Sequence, residues 1–265
     1  MTAIKNEVLN SSDSRKKIWI VLPVYNEAAR LQGLIDRWLI QISLLKQSGY
    51  DCAFVLVDDG STDGSDKILA ENKTKISSFE IITHQKNAGL GATLKDGLEY
   101  ARKNAFHEDF LVTMDSDGTH PPELIFSMIK TIDRYKAGVI IASRFRKGSK
   151  VVGLSVYRRF LSFAAAIVLK ILIPVSGVRD YTCGFRLIRF SALQKLIEEN
   201  SSQILIRTGF DATLELLVNL SVCNAKIREV PFLLDYSPKS GHSHMNIWRT
   251  ATGILSLALS SFLRK

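Results

Sequence analysis

The sequence predicts an α/β fold: a mostly parallel sheet with helices on both faces. Three observations carry this. Short apolar runs alternate with segments whose apolar residues recur at helical spacing, the pattern of successive βαβ units. The runs are nearly continuous rather than alternating, as strands buried on both faces require. Several end in polar or acidic residues, at Asn26-Glu27, Asp58-Asp59 and Asp115 to Asp117. Ligands of open α/β sheets bind beyond the carboxyl ends of the strands, so these ends nominate one functional edge.

Ile18 to Val24 (IWIVLPV) is the first buried strand. Arg30 to Leu45 carries Leu31, Leu34, Ile35, Trp38, Ile42 and Leu45 on one helical face. Ala53 to Val57 is the next strand, and a helix begins near Asp63 with acidic and hydroxyl residues available as caps. Phe79 to Thr83 is a strand, Gly89 to Lys103 a helix and Phe110 to Met114 a strand. Pro121 and Pro122 suit the first turn of a helix running to about Tyr135, and Val139 to Ala142 is a further strand. Beyond it, Arg158 to Ile173, Ser191 to Glu199, Asp211 to Leu220 and Ile247 to Leu263 read as helices. Asp180 to Arg186 reads as a polar loop and Ile227 to Leu234 as a strand. With no internal repeat and no clear linker, residues 1–16 are expected to form a flexible arm and residues 17–265 one domain. That domain has a first half, 17–146, and an acceptor-side region, 147–265.

Composition narrows the function. The chain has 265 residues and a formal net charge of +9, which suits nucleotides, phosphates, nucleic acid or an anionic membrane surface. Three widely spaced cysteines, Cys52, Cys183 and Cys223, argue against a disulfide framework or zinc site and for buried thiols in a reducing compartment. The first residues lack the apolar run of a signal peptide. The most apolar stretch, from Phe160 to Val178, is interrupted by Lys170 and Pro174 and does not read as a membrane span. Arg144 to Lys170 has Arg144, Arg146, Lys147, Lys150, Arg158, Arg159 and Lys170 and no acidic residue. A basic collar beside an apolar helix suits an anionic membrane face; a core helix with a solvated basic turn has the same composition. The segment lacks interleaved aromatic platforms for single strands, so no nucleic-acid partner is expected.

The acidic strand ends carry the chemistry. Asp115 and Asp117 flank one residue just past a buried strand, where both can face Mg²⁺ or Mn²⁺, hard cations that share oxygen ligands with phosphates. Asp58 can accept hydrogen bonds from a base or ribose, with Asp59 beside it and Asp63 as a helix cap; turn and ligand roles are compatible there. Tyr25 can stack on a base and Glu27 can accept its N–H groups, although a strand end with a helix-terminal Glu has the same signature. Asn87, Gly89 and Gly91 open a helix, where small residues permit close approach of a diphosphate.

The series PVYNE, VDDGSTDGS, NAGLGAT, DSDGTHPPE and SRF resembles the nucleotide-sugar half of family 2 glycosyltransferases. RRF at Arg158, DYTCGFRLI at Asp180 to Ile188 and EVPF at Glu229 to Phe232 are similar to the dolichyl-phosphate mannose synthase and polyprenyl-phosphate glycosyltransferase branch. The resemblance implies a GT-A, Rossmann-like fold and transfer of a sugar, with inversion, from a nucleotide diphosphate donor linked to UDP or GDP. It implies that Pro23, Tyr25, Glu27 and Asp58 contact the nucleoside, that Asp115 and Asp117 hold the metal and diphosphate, and that Arg144 and Arg158 lie near an acceptor phosphate. Arg186, His242 and His244 complete the acceptor side. Two positions depart from the branch: Thr119 stands where a Gln is frequent, and Gly241-His242-Ser243-His244 replaces a Gly-x-Ser-Lys.

Two acceptors compete. A polyprenyl phosphate at the cytoplasmic membrane face is already ionised and needs only positioning and charge. A sugar or lipid hydroxyl needs a carboxylate base, for which Asp180 is the candidate; Asp180 also suits a loop residue paired with Arg186 or Arg179. A nucleotidyltransferase of related fold would show a glycine-rich loop with Arg or Lys after the first strand, which PVYNEAARL lacks. The intact Asp115 and Asp117 argue against a non-catalytic sugar-nucleotide binder.

Overall fold

Ile18, Ile20, Val21, Leu22 and Val24 lose all solvent exposure because their strand lies between two parallel neighbours and beneath helices. The structure, a computed structural model, describes residues 15–76, 78–199, 204–209 and 211–236. Its first part is β1 (Lys16–Val24), α1 (Ala28–Gln47), β2 (Tyr50–Asp58), α2 (Ser65–Asn72), β3 (Phe79–Thr83), α3 (Leu90–Asn104), β4 (Phe110–Thr113), α4 (Ile125–Arg134) and β5 (Val139–Ser143). Each element lies where the apolar pattern predicts it. The prolines place a 3₁₀ turn, Pro122–Leu124, ahead of α4. The apolar face of α1 buries Leu31, Leu34, Ile35, Trp38 and Leu45, with Trp38 set edge-on to Phe54 at 6.0 Å. Cys52, Cys183 and Cys223 are buried free thiols.

The second part is β6 (Lys150–Val152), α5 (Val156–Leu172), β7 (Arg186–Arg189), α6 (Phe190–Glu199), α7 (Ala212–Val222), β8 (Ile227–Pro231) and β9 (Leu233–Asp235). The main sheet runs β3-β2-β1-β4-β7-β5-β8. All its pairs are parallel except those of β7, which is antiparallel to both β4 and β5. β6 and β9 form a separate parallel pair.

The structure adds to or departs from the sequence reading at four places. The predicted loop at Asp180 to Arg186 ends inside the sheet, because Arg186 is the first residue of β7. The predicted strand at Ile227 to Leu234 breaks at Phe232 into β8 and β9, whose partners lie in different sheets. β6 has no sequence counterpart; its three residues are too short for a periodic signal. Asp63 does more than cap one helix: its carboxylate accepts Ser65 N–H at the start of α2 and Ala28 N–H at the start of α1. The predicted helix at Ile247 to Leu263, and most of the N-terminal arm, lie outside the described residues.

β1 sets the functional edge. In register, Val24 faces Asp58 and Val21 faces Thr113, so β1 and β2 leave the sheet level with each other and β4 leaves it three residues earlier, on the same edge. Asp109 fixes the opposite end by accepting Lys17 N–H, Trp19 Nε1–H and Phe106 N–H. Above the sheet α3 approaches β1 closely at Gly97, where an added Cβ would lie 2.4 Å from Val21 Cγ1. Gly97→Ala is therefore expected to lower stability by about 1–3 kcal/mol through overpacking, despite the better helix propensity of alanine. Urea unfolding of the variant checks this; equal or higher stability would mean that α3 does not bear on β1 there.

Candidate active site

Adjacent carboxylates at the end of β2 divide their work. Asp58 is buried and accepts Ser61 N–H through Oδ1 at 3.1 Å. Asp59 is turned the other way. Its oxygens accept Ala88 N–H and Gly89 N–H, each at 2.8 Å, and Oδ1 also lies 2.7 Å from His84 Nδ1. His84 Nε2 reaches Asp96 on α3 at 3.0 Å. Asp59, expected at the donor, thus serves as an internal clamp on the loop entering α3. Burial alone would lower the His84 pKa, but the hydrogen bonds and charges of Asp59 and Asp96 outweigh it and raise the value above that of an ordinary histidine.

The glycines of that loop also have a role other than the expected one. Gly91 N–H donates to Thr208 O at 2.8 Å. A Cβ at Gly91 would lie 2.2 Å from Arg207 O, and one at Gly89 2.5 Å from Thr208 O. Their smallness admits the backbone of residues 204–209, itself held by Glu215, which accepts Ile206 N–H and Arg207 N–H. With Gly89 N–H given to Asp59 and Gly91 N–H to Thr208, these two amides do not form a diphosphate cradle. Asn87 is exposed beside them.

At the end of β1, Pro23, Tyr25 and Glu27 are partly exposed. Asn26 adopts a positive φ of 54° and exchanges contacts with the β2 loop: its N–H donates to Ser61 Oγ, and Thr62 N–H donates to its Oδ1. Glu27 N–H donates to Ser65 Oγ, and its carboxylate pairs with Arg30 at 3.1 Å. The β1 and β2 ends therefore form one tied surface with Asp58 between them.

β4 delivers Asp115 and Asp117. Ser116, between them, is buried and donates to Pro23 O at 2.6 Å, which sets the two carboxylates beside β1. The Asp115 side chain is 46% exposed. Asp117 is buried, and its Oδ1 accepts both Thr119 N–H and Thr119 Oγ1–H, the latter at 2.6 Å. Thr119, which replaces a frequent Gln, is thus spent on orienting Asp117. Among the described residues no group of three or more His, Cys, Asp and Glu forms a complete metal cage. Two carboxylates on one turn, one open and one braced, still fit a hard cation that takes its remaining oxygens from substrate phosphates and water.

Because β7 is antiparallel, its entrance stands at the edge where the other strands exit. That brings Asp180 to Phe185 against β4 and β5. Arg144, just past β5, lies over Asp180: Nε donates to Oδ2 at 2.7 Å, Nη2 to Oδ1 at 2.6 Å, and the backbone N–H to Oδ2 at 2.9 Å. Arg144 Nη2 also donates to Thr182 Oγ1. Asp180 has no solvent exposure. Its burial would raise its pKa, but Arg144 and the backbone N–H groups of Arg144 and Cys183 overcome this and hold it below the usual carboxylate range. Beneath it, Glu229 Oε1 accepts Arg179 N–H and Asp180 N–H, and burial pushes the Glu229 pKa up.

Arg186, expected on the acceptor side, is the first residue of β7, beside Asp115 and Gly184. It is fully enclosed, donating to Thr213 O and Tyr181 O, and burial lowers its pKa to about 10. Arg158 lies in the first turn of α5; His242 and His244 lie outside the described residues. Sequence reasoning missed the bracing by Thr119, the clamp at His84, and Glu229, which lies within the EVPF segment.

A family model described as Glycosyl transferase family 2 matches residues 19–197. The chain is similar to a dolichol-phosphate mannosyltransferase of Pyrococcus furiosus, 31% identical over 217 residues, 82% of this chain and 56% of that protein. It is also similar to a polyprenol monophosphomannose synthase of Mycolicibacterium smegmatis, 29% identical over 178 residues, 67% of this chain and 63% of that protein. The chain thus spans less than two thirds of either relative. In structure it is similar to the mannosyltransferase PcManGT of Pyrobaculum calidifontis, solved in complex with GDP-Man and Mn²⁺, with a TM-score of 0.59 at 15% identity over 95% of this chain and 65% of that one. The fold is GT-A, as the sequence implies.

The His84 clamp has a pH signature. A histidine whose folded pKa is raised stabilises most fully below its unfolded value, near 6.5, and its contribution is lost as pH rises through the folded value. His84→Ala is expected to cost about 1–2 kcal/mol at pH 6 and clearly less at pH 9. Unfolding across pH, with the His84 resonance followed by NMR, checks it. A His84 pKa at or below 6.5, or a cost independent of pH, would show that the clamp is not charged.

Proposed function

This chain belongs to glycosyl transferase family 2, and from that premise we propose that it transfers a sugar, with inversion, from a nucleotide diphosphate sugar to a polyprenyl phosphate at the cytoplasmic face of a membrane. The observation that carries the choice of acceptor is the enclosure of Asp180. A hydroxyl acceptor needs a base that can reach it and take its proton. Asp180 has no exposure, four N–H donors and a lowered pKa. It is suited to fixing Arg144, whose guanidinium can meet an anion that is already ionised. The relatives named for dolichol-phosphate and polyprenol-phosphate mannosyl transfer point the same way.

In this reading residues 17–146 present the donor site. Tyr25 and Glu27 border the base, and Asp58 accepts from the nucleoside. Asp115 and Asp117 hold Mg²⁺ or Mn²⁺, which when bound supplies positive charge against the diphosphate leaving group. Arg144, with Arg158, receives the acceptor phosphate. One phosphate oxygen bonds to the anomeric carbon as the bond to the nucleoside diphosphate breaks on the opposite face, and the released diphosphate carries the electron pair. Ser116 and Thr119 keep the carboxylates placed, so that positioning and charge do the catalysis.

The surface of α5 supports membrane attachment. Tyr157, Phe160, Leu161, Phe163, Val168 and Ile171 are exposed, next to exposed Arg146, Lys147, Lys150, Arg159 and Lys170. Among the described residues no helix is long and apolar enough to cross a membrane; α5 suits lying in the interface with its basic neighbours on anionic headgroups.

Two outcomes are expected. Incubation with UDP- and GDP-linked sugars, Mn²⁺ and either polyprenyl phosphate or neutral glycan and lipid acceptors should yield a glycosylated lipid phosphate by mass spectrometry. Asp115→Asn, Asp117→Asn or EDTA should lower the rate about 100-fold or more. Product formed only on a hydroxyl would overturn the acceptor reading, and full turnover in EDTA the metal reading. Secondly, the protein should sediment with anionic vesicles in preference to neutral ones and be released by salt, with Arg159→Glu and Lys170→Glu each weakening binding by about fivefold. Equal partition to both vesicle types would remove the electrostatic contribution.

A further inference from the structure

Five residues after Asp115, His120 occupies a slot that packing alone does not explain. Its side chain is 5% exposed and sits between Phe185 and Phe232, each ring centroid 5.7 Å away. Nε2 lies 3.6 Å from Cys183 Sγ. Nδ1 is buried and makes no hydrogen bond to a described residue, yet lies 3.8 Å from Asp115 Oδ2. An unsatisfied buried polar atom is uncommon in a folded protein, and a shift of about 1 Å would bring these two atoms to ordinary hydrogen-bond distance. We propose that His120 is a positioning residue: its Nδ1–H holds Oδ2 of Asp115 and so fixes the orientation in which that carboxylate takes the divalent cation. The proposal rests on the metal reading above.

The surroundings favour this role. The side chain of Asp115 is half-exposed. On one side Gly184 limits it, since an added Cβ there would stand 2.9 Å from Oδ1; on the other side is His120. Three consecutive residues entering β7 build the arrangement: Cys183 meets Nε2, Gly184 meets Oδ1, and Phe185 packs against the ring at a tilt of 53°. Cys183 is fully buried, and burial together with the Asp180 charge pushes its pKa up, so it remains a thiol and can donate S–H to Nε2. The proton of a neutral imidazole then resides on Nδ1. Carboxylate ligands oriented by such outer partners bind metal more tightly.

Asparagine and glutamine discriminate between the two ring nitrogens. The amide of His120→Asn falls near the place of Nδ1 and can still donate to Asp115; that of His120→Gln falls near the place of Nε2 and cannot. Mn²⁺ is titrated into the full chain in the presence of GDP or of UDP, free ion being read by electron paramagnetic resonance, with GDP and UDP affinity in EDTA measured alongside. His120→Asn is expected to bind Mn²⁺ within about threefold of the native chain. His120→Gln should be weaker by about 10–100-fold, with metal-free nucleotide affinity unchanged in both. Should the glutamine variant not fold, His120→Phe, which keeps an aromatic ring between Phe185 and Phe232, takes its place with the same expectation. Native-like Mn²⁺ affinity in His120→Gln or His120→Phe, or equal losses in the asparagine and glutamine variants, would overturn the positioning role while leaving the metal reading intact. If the native chain binds no Mn²⁺, or Asp115→Asn does not weaken it, the metal reading falls and this inference with it.

Discussion

One strand runs backwards through an otherwise parallel sheet, and the architecture of the edge follows from that reversal. Parallel strands deliver their carboxyl ends to one side, so β1, β2, β4 and β5 can furnish only the residues that follow them. β7 enters the sheet from that same side, and the segment before it, Asp180 to Phe185, is drawn into the site. Its pairing places Arg186 opposite Thr113 on one flank and Ile141 on the other. Arg144 is thereby seated on Asp180, and Gly184 is laid against Asp115. Had β7 been parallel, this segment would stand at the far edge and Arg144 would have no buried counter-ion.

The carboxylates fall into two groups by where they stand, since Asp58 and Asp117 also accept a backbone N–H, each from its own turn. Asp59, Asp63, Asp109, Asp180, Glu215 and Glu229 each take backbone N–H groups from a loop or helix start. Charged acceptors make stronger bonds than neutral ones, and leaving such an N–H unmet costs about 1–3 kcal/mol. This group therefore fixes the loops that a parallel sheet leaves irregular. Asp58, Asp115 and Asp117 instead stand where β2 and β4 leave the sheet, beside the end of β1. Loop rigidity supplied by the first group is what lets the second hold its geometry without the support of regular secondary structure.

How far the sequence discloses this depends on distance along the chain. Strands β1, β2, β4 and β5 are legible because burial on both faces writes itself as an apolar run, and the acidic ends follow directly from that register; β3, half-exposed at the sheet's edge, shows only Phe79, Ile81 and Ile82. β7 is not: four residues beginning and ending in arginine carry no alternation, and the burial of Arg186 depends on carbonyls from Tyr181 and Thr213. Asp59 has the same local signature as Asp58, Asp followed by small turn residues, and only the loop at Lys86 to Gly89 decides which one faces inward. The glycines at Gly89 and Gly91 are correctly marked as places of close approach. What approaches them is a backbone more than a hundred residues later, and no local pattern announces it. His120 is masked by the prolines after it, which mark a helix start and nothing else.

The strand order has a consequence for how this chain emerges from a ribosome. β5 is synthesised soon after β4 but does not pair with it; its hydrogen-bonding neighbours are β7 and β8. Until Arg189 and then Pro231 have left the exit tunnel, β4 and β5 each present an unpaired, largely apolar flank, the kind of edge that invites intermolecular pairing. Closing the sheet must therefore wait for contacts of long sequence separation, which form slowly. A nascent chain arrested near residue 146 would contain every acidic strand end and still lack the partners that complete the sheet.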